Sequence, residues 1–360
     1  MAAPAFPLPY KYQPLSNQDS IRILILYPAD DPTEPLRGQL EYTERAQILR
    51  SLSNFNTQYE TVSYAWGDQK PTESILLEKD ASELKITKNV DCMLRHLRKR
   101  SVKRSLWIDA LCLNQDDKTE KSIQVPLMGK IYAQAKKTNI WLGNSDEETP
   151  RIWAFLRRLA ALEKDQINEA LLKSELQHIW GEEDGVSPTE RFLCRPWFSR
   201  RWILQEVFLS QAAVVRCGNM KISWNWIASG LETLRTASER TLIRLGPSAQ
   251  NTLNTAHVLR NNTGKILDLI WDFDTAKCAD PRDKIFALCG LATNLTKESF
   301  NAGQETQTDP KLYPISTEKI AIEQMVDYNT GWEDVYRRFA QSCLQAGYGE
   351  EIGYHLSAFG

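Results

Sequence analysis

What the chain lacks narrows its role first. No apolar run approaches the roughly 20 residues of a membrane-spanning helix. The run Ile23-Leu24-Ile25-Leu26 has the length of a strand. Neither G-x-G-x-x-G nor G-x-x-x-x-G-K-[ST] occurs, because Asn262-Thr-Gly-Lys265 has no leading glycine, so no glycine-rich phosphate cradle is written. Histidine is scarce: His96, His178, His257 and His355 are scattered and make no ligand pair. The seven cysteines form no C-x-x-C pair, so a structural metal site is not expected. Their odd number and apolar neighbours point to reduced thiols and a cytoplasmic protein. A cysteine–histidine nucleophile has no local signature. With 44 basic and 46 acidic residues the net charge is −2, which gives nucleic acid or an anionic membrane no bulk attraction. The start, Met-Ala-Ala-Pro-Ala-Phe-Pro-Leu-Pro, lacks a basic segment and reads as a loose tail over residues 1–20 rather than a signal peptide. Internal repeats are absent.

What remains is a globular composition, 42% hydrophobic and 25% charged over 360 residues. That length suits one large or two modest cores. Residues 21–27 and 59–66 read as strands, and 74–77 with 84–86 as a hairpin. Thr87 caps a helix striped by Val90, Leu94 and Leu97. It ends in the basic run Arg95–Arg104, which reads either as cations at a helix C-terminus or as an anion site. Leu106–Leu113 reads as a buried central strand with Asp109 inside it. Asp116 or Asp117 caps the next helix, with Glu120 in capping-box spacing; Ile123, Leu127, Ile131 and Ala135 form its inward stripe, kinked at Pro126. Residues 138–143 and 213–217 are short strands. The alternation of strand and helix from 59 to 143 predicts a parallel sheet with crossovers. Residues 227–345 read as mostly helical, broken at Asp280-Pro-Arg-Asp283.

The stretch with most chemistry is Arg195-Pro-Trp-Phe-Ser-Arg-Arg-Trp-Ile-Leu-Gln-Glu206. Ser199 is placed to cap a helix running from Arg200 to Leu209, which puts Trp202 and Glu206 on one face. Trp197, Phe198 and Trp202 then stand beside a carboxylate. An aromatic wall next to a carboxylate suits a flat cationic ring. The alternative is a core helix in which Glu206 pairs with Arg200, Arg201 or another base.

Four segments together resemble the fungal heterokaryon-incompatibility (HET) domain family. They are Val62-Ser-Tyr-Ala-Trp-Gly-Asp68; Leu106 to Asp117 with Glu120, Lys121, Gln124, Val125, Met128, Ile131 and Tyr132; Ile140-Trp-Leu-Gly143; and Arg195 to Trp202 through Gln205-Glu206. Asp280-Pro-Arg-Asp-Lys-Ile-Phe-Ala-Leu-Cys-Gly-Leu291 is similar to a box found downstream of that domain. The resemblance covers roughly residues 21–345, with its core at 59–210. Leu113 stands where isoleucine is usual, and Pro126 interrupts the second helix.

HET domains distantly resemble TIR domains, so the resemblance implies an α/β fold: a TIR/flavodoxin-like parallel sheet with flanking helices. Residues 21–210 would form that domain, with a helical insertion near 150–190, and 211–360 a mostly helical extension packed on it or following it. The expected role is non-self recognition ending in programmed cell death. Many TIR proteins carry a tryptophan followed four residues later by a glutamate that cleaves NAD, which implies Glu206 as the catalytic residue. NAD would then be substrate, no cofactor or metal being needed, with Tyr64, Trp66, Asp68 and Trp202 about it. The alternative is a non-catalytic signalling module that associates with itself and recruits a partner protein; a degenerate member without activity is a third reading. Asp109, Asn114, Gln115, Gln124, Arg195, Trp197, Arg282 and Asp283 have a structural reading, Arg282 and Asp283 as an ion-paired lock on the downstream helices. Glu206 discriminates: an enzyme needs it open to a pocket, whereas a module tolerates it buried in an ion pair.

Overall fold

In the computed structural model, the residues described are 7–50, 58–67, 69–162, 187–240, 245–261, 264–296, 320–321 and 326–353. Ten strands form one mixed sheet: β1 (Leu8–Pro9), β2 (Ser20–Leu26), β3 (Arg37–Glu44), β4 (Glu60–Tyr64), β5 (Glu73–Leu77), β6 (Ser82–Ile86), β7 (Arg104–Trp107), β8 (Thr138–Trp141), β9 (Ala213–Cys217) and β10 (Met220–Ser223). Their order is β1-β6-β5-β3-β2-β7-β4-β8-β9-β10. The centre, β7-β4-β8-β9, is parallel throughout. Counted along the chain, that block runs second, first, third, fourth, the start of the flavodoxin-like order. Strand β2 extends it antiparallel to β7, and β10 closes the other edge antiparallel to β9.

The local signals explain much of this. Thr87 accepts from the Val90 amide at 3.3 Å, and Val90, Met93, Leu94 and Leu97 bury one face of the helix Lys88–Leu97. The hairpin β5–β6 forms where the hydrophobic pattern places it. Strand β3 is mostly solvent-facing and polar, which hides it in the sequence, and it holds its place by pairing with β2 along its whole length. The β9–β10 turn is Gly218-Asn219, with Gly218 at φ +55°, a left-handed conformation that glycine adopts without strain.

Several expectations are corrected. Residues 8–20 are no loose tail: β1 pairs with β6, and the Tyr12 hydroxyl donates to the Leu111 carbonyl at 3.1 Å. The central strand ends at Trp107, and Asp109 opens a single helical turn, Asp109–Cys112, so it sits past the strand rather than inside it. Asp117 does cap the next helix, accepting from Thr119 and Glu120. Pro126 breaks that helix into a 3-10 turn at Val125–Leu127 and shifts its phase. Gln124, Val125, Met128, Ile131 and Tyr132 therefore face inward, and Ile123 is exposed.

Beyond the sheet, the helices Thr149–Ala161 and Trp224–Arg240 cross where Gly230 meets the Leu156 backbone, a contact with no room for a Cβ. Further helices lie at Pro247–Asn261, Ile266–Asp272, Asp283–Phe286 and Trp332–Gln345. None of the described helices is long and apolar enough to cross a membrane. All seven cysteines are free.

Glu120 does not close the capping box. It pairs with the fully buried Arg22 (Nη1–Oε1 2.5 Å, Nη2–Oε2 2.8 Å) and accepts from the Asn114 amide. Arg22 also reaches the Gln13 and Cys112 carbonyls, tying the N-terminal segment to the sheet. Removing one partner of such a pair strands a buried charge. Glu120→Ala should therefore cost about 3–5 kcal/mol in urea denaturation; a loss below about 1 kcal/mol would be that of a surface pair.

Candidate functional site

Glu206 lies on the short helix Ile203–Phe208, which begins later than the sequence suggests. Arg200 is extended (ψ 137°) and bridges in parallel to Lys277, with the Arg201 amide on the Lys277 carbonyl at 2.8 Å. A residue held in this bridge cannot be helical. Ser199 accordingly donates to the Pro196 carbonyl instead of capping, and Trp202 stands at the N-cap position. Extended backbone sends successive side chains in opposite directions. Arg200 turns to Glu206, while the fully buried Arg201 donates to the Phe273 and Lys284 carbonyls.

Glu206 is 1% exposed. The Arg200 guanidinium meets both of its oxygens, Nη1 to Oε2 at 3.3 Å and Nη2 to Oε1 at 3.4 Å. The Ser63 hydroxyl donates to Oε2. Trp197 Nε1 donates to Ser63 Oγ at 2.7 Å; indole nitrogen only donates, so the serine proton points at Glu206. Asp109 lies in the same cluster. Its Oδ2 accepts from Trp66 Nε1 at 2.8 Å and its Oδ1 from the Ala110 amide at 2.8 Å. Tyr64 is buried beside it under Trp66, the rings near-parallel with centroids 6.5 Å apart, and its hydroxyl faces the Asp109 carboxyl.

Burial pushes the Glu206 carboxyl above its usual range; Arg200 opposes the shift and Asp109 adds to it. Asp109 is likewise raised by burial and lowered by Arg200, Trp66 and the Ala110 amide. Two carboxyl groups thus lie in the field of one guanidinium, whose side chain is 17% exposed.

The structure brings Tyr64, Trp66, Asp109, Trp197 and Glu206 together. Asp68 lies outside the described residues. Trp202 is adjacent in chain but its Nε1 donates to Asp283 at 3.0 Å. Asp283 also accepts from the Tyr328 hydroxyl at 2.6 Å, whereas Arg282 pairs with Asp280 at 2.6 Å and caps the Tyr328 and Thr330 carbonyls. The lock onto the downstream helices is therefore a hydrogen bond from Trp202, not an Arg282–Asp283 ion pair. Trp197 and Phe198 pack edge to face at 5.1 Å within the core, so they form no open aromatic wall. Gln115 donates to the Asp109 carbonyl, Gln124 to that of Ser20, and Arg195 to those of Leu142 and Asn144. Asn114 orders its own turn by accepting from the Asp116 amide. Ser63 is the member that sequence reasoning missed; its signal is a lone hydroxyl alternating with Val62 and Tyr64 in a buried strand.

Among the described residues, no three His, Cys, Asp or Glu side chains are grouped to hold a metal ion. The cleft lined by Ala279, Asp280, Pro281, Arg282, Gly331 and Trp332, of about 410 Å³, includes none of the cluster.

Residues 59–206 match the family model described as "Heterokaryon incompatibility protein (HET)". Among curated proteins, Heterokaryon incompatibility protein 6, OR allele, of Neurospora crassa is 27% identical over 348 residues. That similarity covers 80% of this chain and 49% of the relative, so the chain spans about half the length of the curated relative it matches. No solved structure matches the chain.

A carboxyl group with a raised pKa in the fold stabilises it when protonated, and that contribution is lost as pH rises through the folded value. Asp109→Asn fixes the neutral form. Its stability relative to wild type should rise as pH is raised from about 4 towards neutrality, measured by urea denaturation at stepped pH. A flat or falling difference would mean that burial does not raise the Asp109 carboxyl in the fold.

Proposed function

We propose that the chain is a HET family protein, whose family model residues 59–206 match, and that it acts in non-self recognition as a trigger of programmed cell death, working as a signalling module that self-associates and recruits a protein partner. One observation carries the mechanistic part. Glu206 is enclosed, with donors from Arg200 and Ser63 on its oxygens, as a structural carboxylate would be. A carboxylate acting on substrate needs access to the reacting carbon.

A second reading, a TIR-like NAD glycohydrolase, is favoured by placement. Ser63, Tyr64 and Asp109 lie at the carboxyl ends of β4 and β7, within the parallel block whose order reverses at β4, and open α/β sheets bind ligands along such an edge. In that reaction water replaces nicotinamide on the ribose carbon, and a carboxylate stabilises the oxocarbenium-like state. Arg200 would first have to leave Glu206, with Trp66, 38% exposed, as the aromatic face at hand.

NAD turnover and nicotinamide release, measured on purified wild type and Glu206→Gln with a crowding agent, separate the two. The module reading expects no turnover in either protein and unchanged toxicity of Glu206→Gln when expressed in cells. Nicotinamide release by wild type that disappears in a folded Glu206→Gln would replace it with the enzyme.

A further inference from the structure

On the other face of the sheet from Glu206 is a second charged cluster that neither the module nor the enzyme uses. In β4, side chains alternate, so Glu60 projects opposite to Ser63. Glu60 meets Arg104 at the start of β7, and Lys137 just before β8 lies 3.5 Å from its Oε1. The fully buried Asn139 donates to Glu60 at 2.7 Å and accepts from Arg104 Nη2 at 3.1 Å and Arg216 Nε at 2.9 Å. Two cations, Arg104 and Lys137, thus meet one carboxylate, and a third, Arg216, joins them through Asn139.

Their commitments differ. Arg104 spends both Nη groups, on the Leu97 carbonyl, Glu60 and Asn139. The neighbouring basic run is similarly absorbed: Arg98 donates to the carbonyls of Asp31, Pro32, Glu34 and Pro35, and Arg95 pairs with Asp91 at 2.8 Å. Those contacts tie the helix to the loop at residues 31–35, while the carbonyl of its last residue, Leu97, is taken by Arg104. Arg216 is different. Only its Nε is engaged, and among the described residues nothing hydrogen-bonds its two Nη groups. It is half-buried, opposite the exposed Lys221 across the β9–β10 pair. Burial lowers the affinity of both Lys137 and Arg216 for their protons, with Arg104 adding to the shift and Glu60 opposing it.

We propose that Arg216 and Lys137, backed by Arg104 and Asn139, form an anion site for the phosphate group of a small molecule. A guanidinium fork with both Nη groups free, beside an ammonium, matches the oxygens of a phosphate. A bound dianion would supply the counter-charge that one carboxylate leaves missing. The site is separate from Glu206 and stands or falls independently of either reading of that residue.

The test is calorimetric titration of the full chain with inorganic phosphate and, in parallel, adenosine monophosphate, at matched ionic strength, on wild type, Arg216→Gln and Arg216→Lys. Saturable binding is expected, weakened about tenfold or more in Arg216→Gln and less in Arg216→Lys. Tighter binding of the nucleotide would identify an organic phosphate as ligand; equal binding, free phosphate. Urea denaturation without phosphate should find Arg216→Gln no less stable than wild type, since it removes an under-compensated cation. No saturable binding at millimolar concentration of either probe, or affinity unchanged in Arg216→Gln, would overturn the proposal. So would a phosphate-independent loss of stability, which marks a structural arginine.

Discussion

A single guanidinium, that of Arg200, grips the buried Glu206 and lends its charge to nearby Asp109, and much of the domain's centre is arranged to keep it there. Arg200 reaches Glu206 because its backbone is extended, and it is extended because Lys277, far along the chain, bridges to it. The same bridge turns Arg201 the other way, into the carbonyls of the downstream helices. Ser63 and Trp197 complete the arrangement from the sheet and the preceding turn. A carboxylate this enclosed is costly unless every oxygen has a donor, and here each has one. The cluster therefore behaves as one unit: a change at Arg200, Ser63 or Asp109 is felt at Glu206.

The parallel strands are legible in the sequence because each carries β-branched or aromatic residues in a short run near turn signals, and the helix after Thr87 because its cap and stripe agree. Asp109 is misplaced by pattern alone because Leu106–Leu113 is apolar enough to read as one strand; what ends it is a local helical turn with its own hydrogen bond to Ala110. Counting fours across Pro126 assigns Ile123 inward, and a proline changes the phase of such a count. The start of the Glu206 helix is hidden for another reason. Nothing near Arg200 forbids a helix; the partner that does is Lys277. Contacts of that range leave no local pattern. The aromatic cluster is legible as residue types but not in its role, since Trp197 turns its nitrogen to Ser63 and its ring to the core.

The two faces of the sheet treat charge differently. Near Glu206, acid exceeds base and water is excluded. Around Glu60, base exceeds acid and Arg216 reaches solvent. Burial amplifies an imbalance of either sign, because a missing counter-charge costs more where water cannot supply one. Near Glu206 the excess acid is met by burial raising the pKa of both carboxyl groups, while around Glu60 the excess base is one that a bound anion can complete.

The stretch that matches the family ends at residue 206, yet the helix ending it is clasped by residues about 80 positions further along the chain. Gln205 donates to the Phe286 and Ala287 carbonyls, and its amide fills the space a side chain at Gly290 would need, 2.9 Å from that Cβ position. Cutting there would leave Arg201 and Gln205 facing water or one another without their acceptors. The family model thus stops short of the contacts that hold its last helix, and the boundary of the domain as a folding unit lies beyond residue 287.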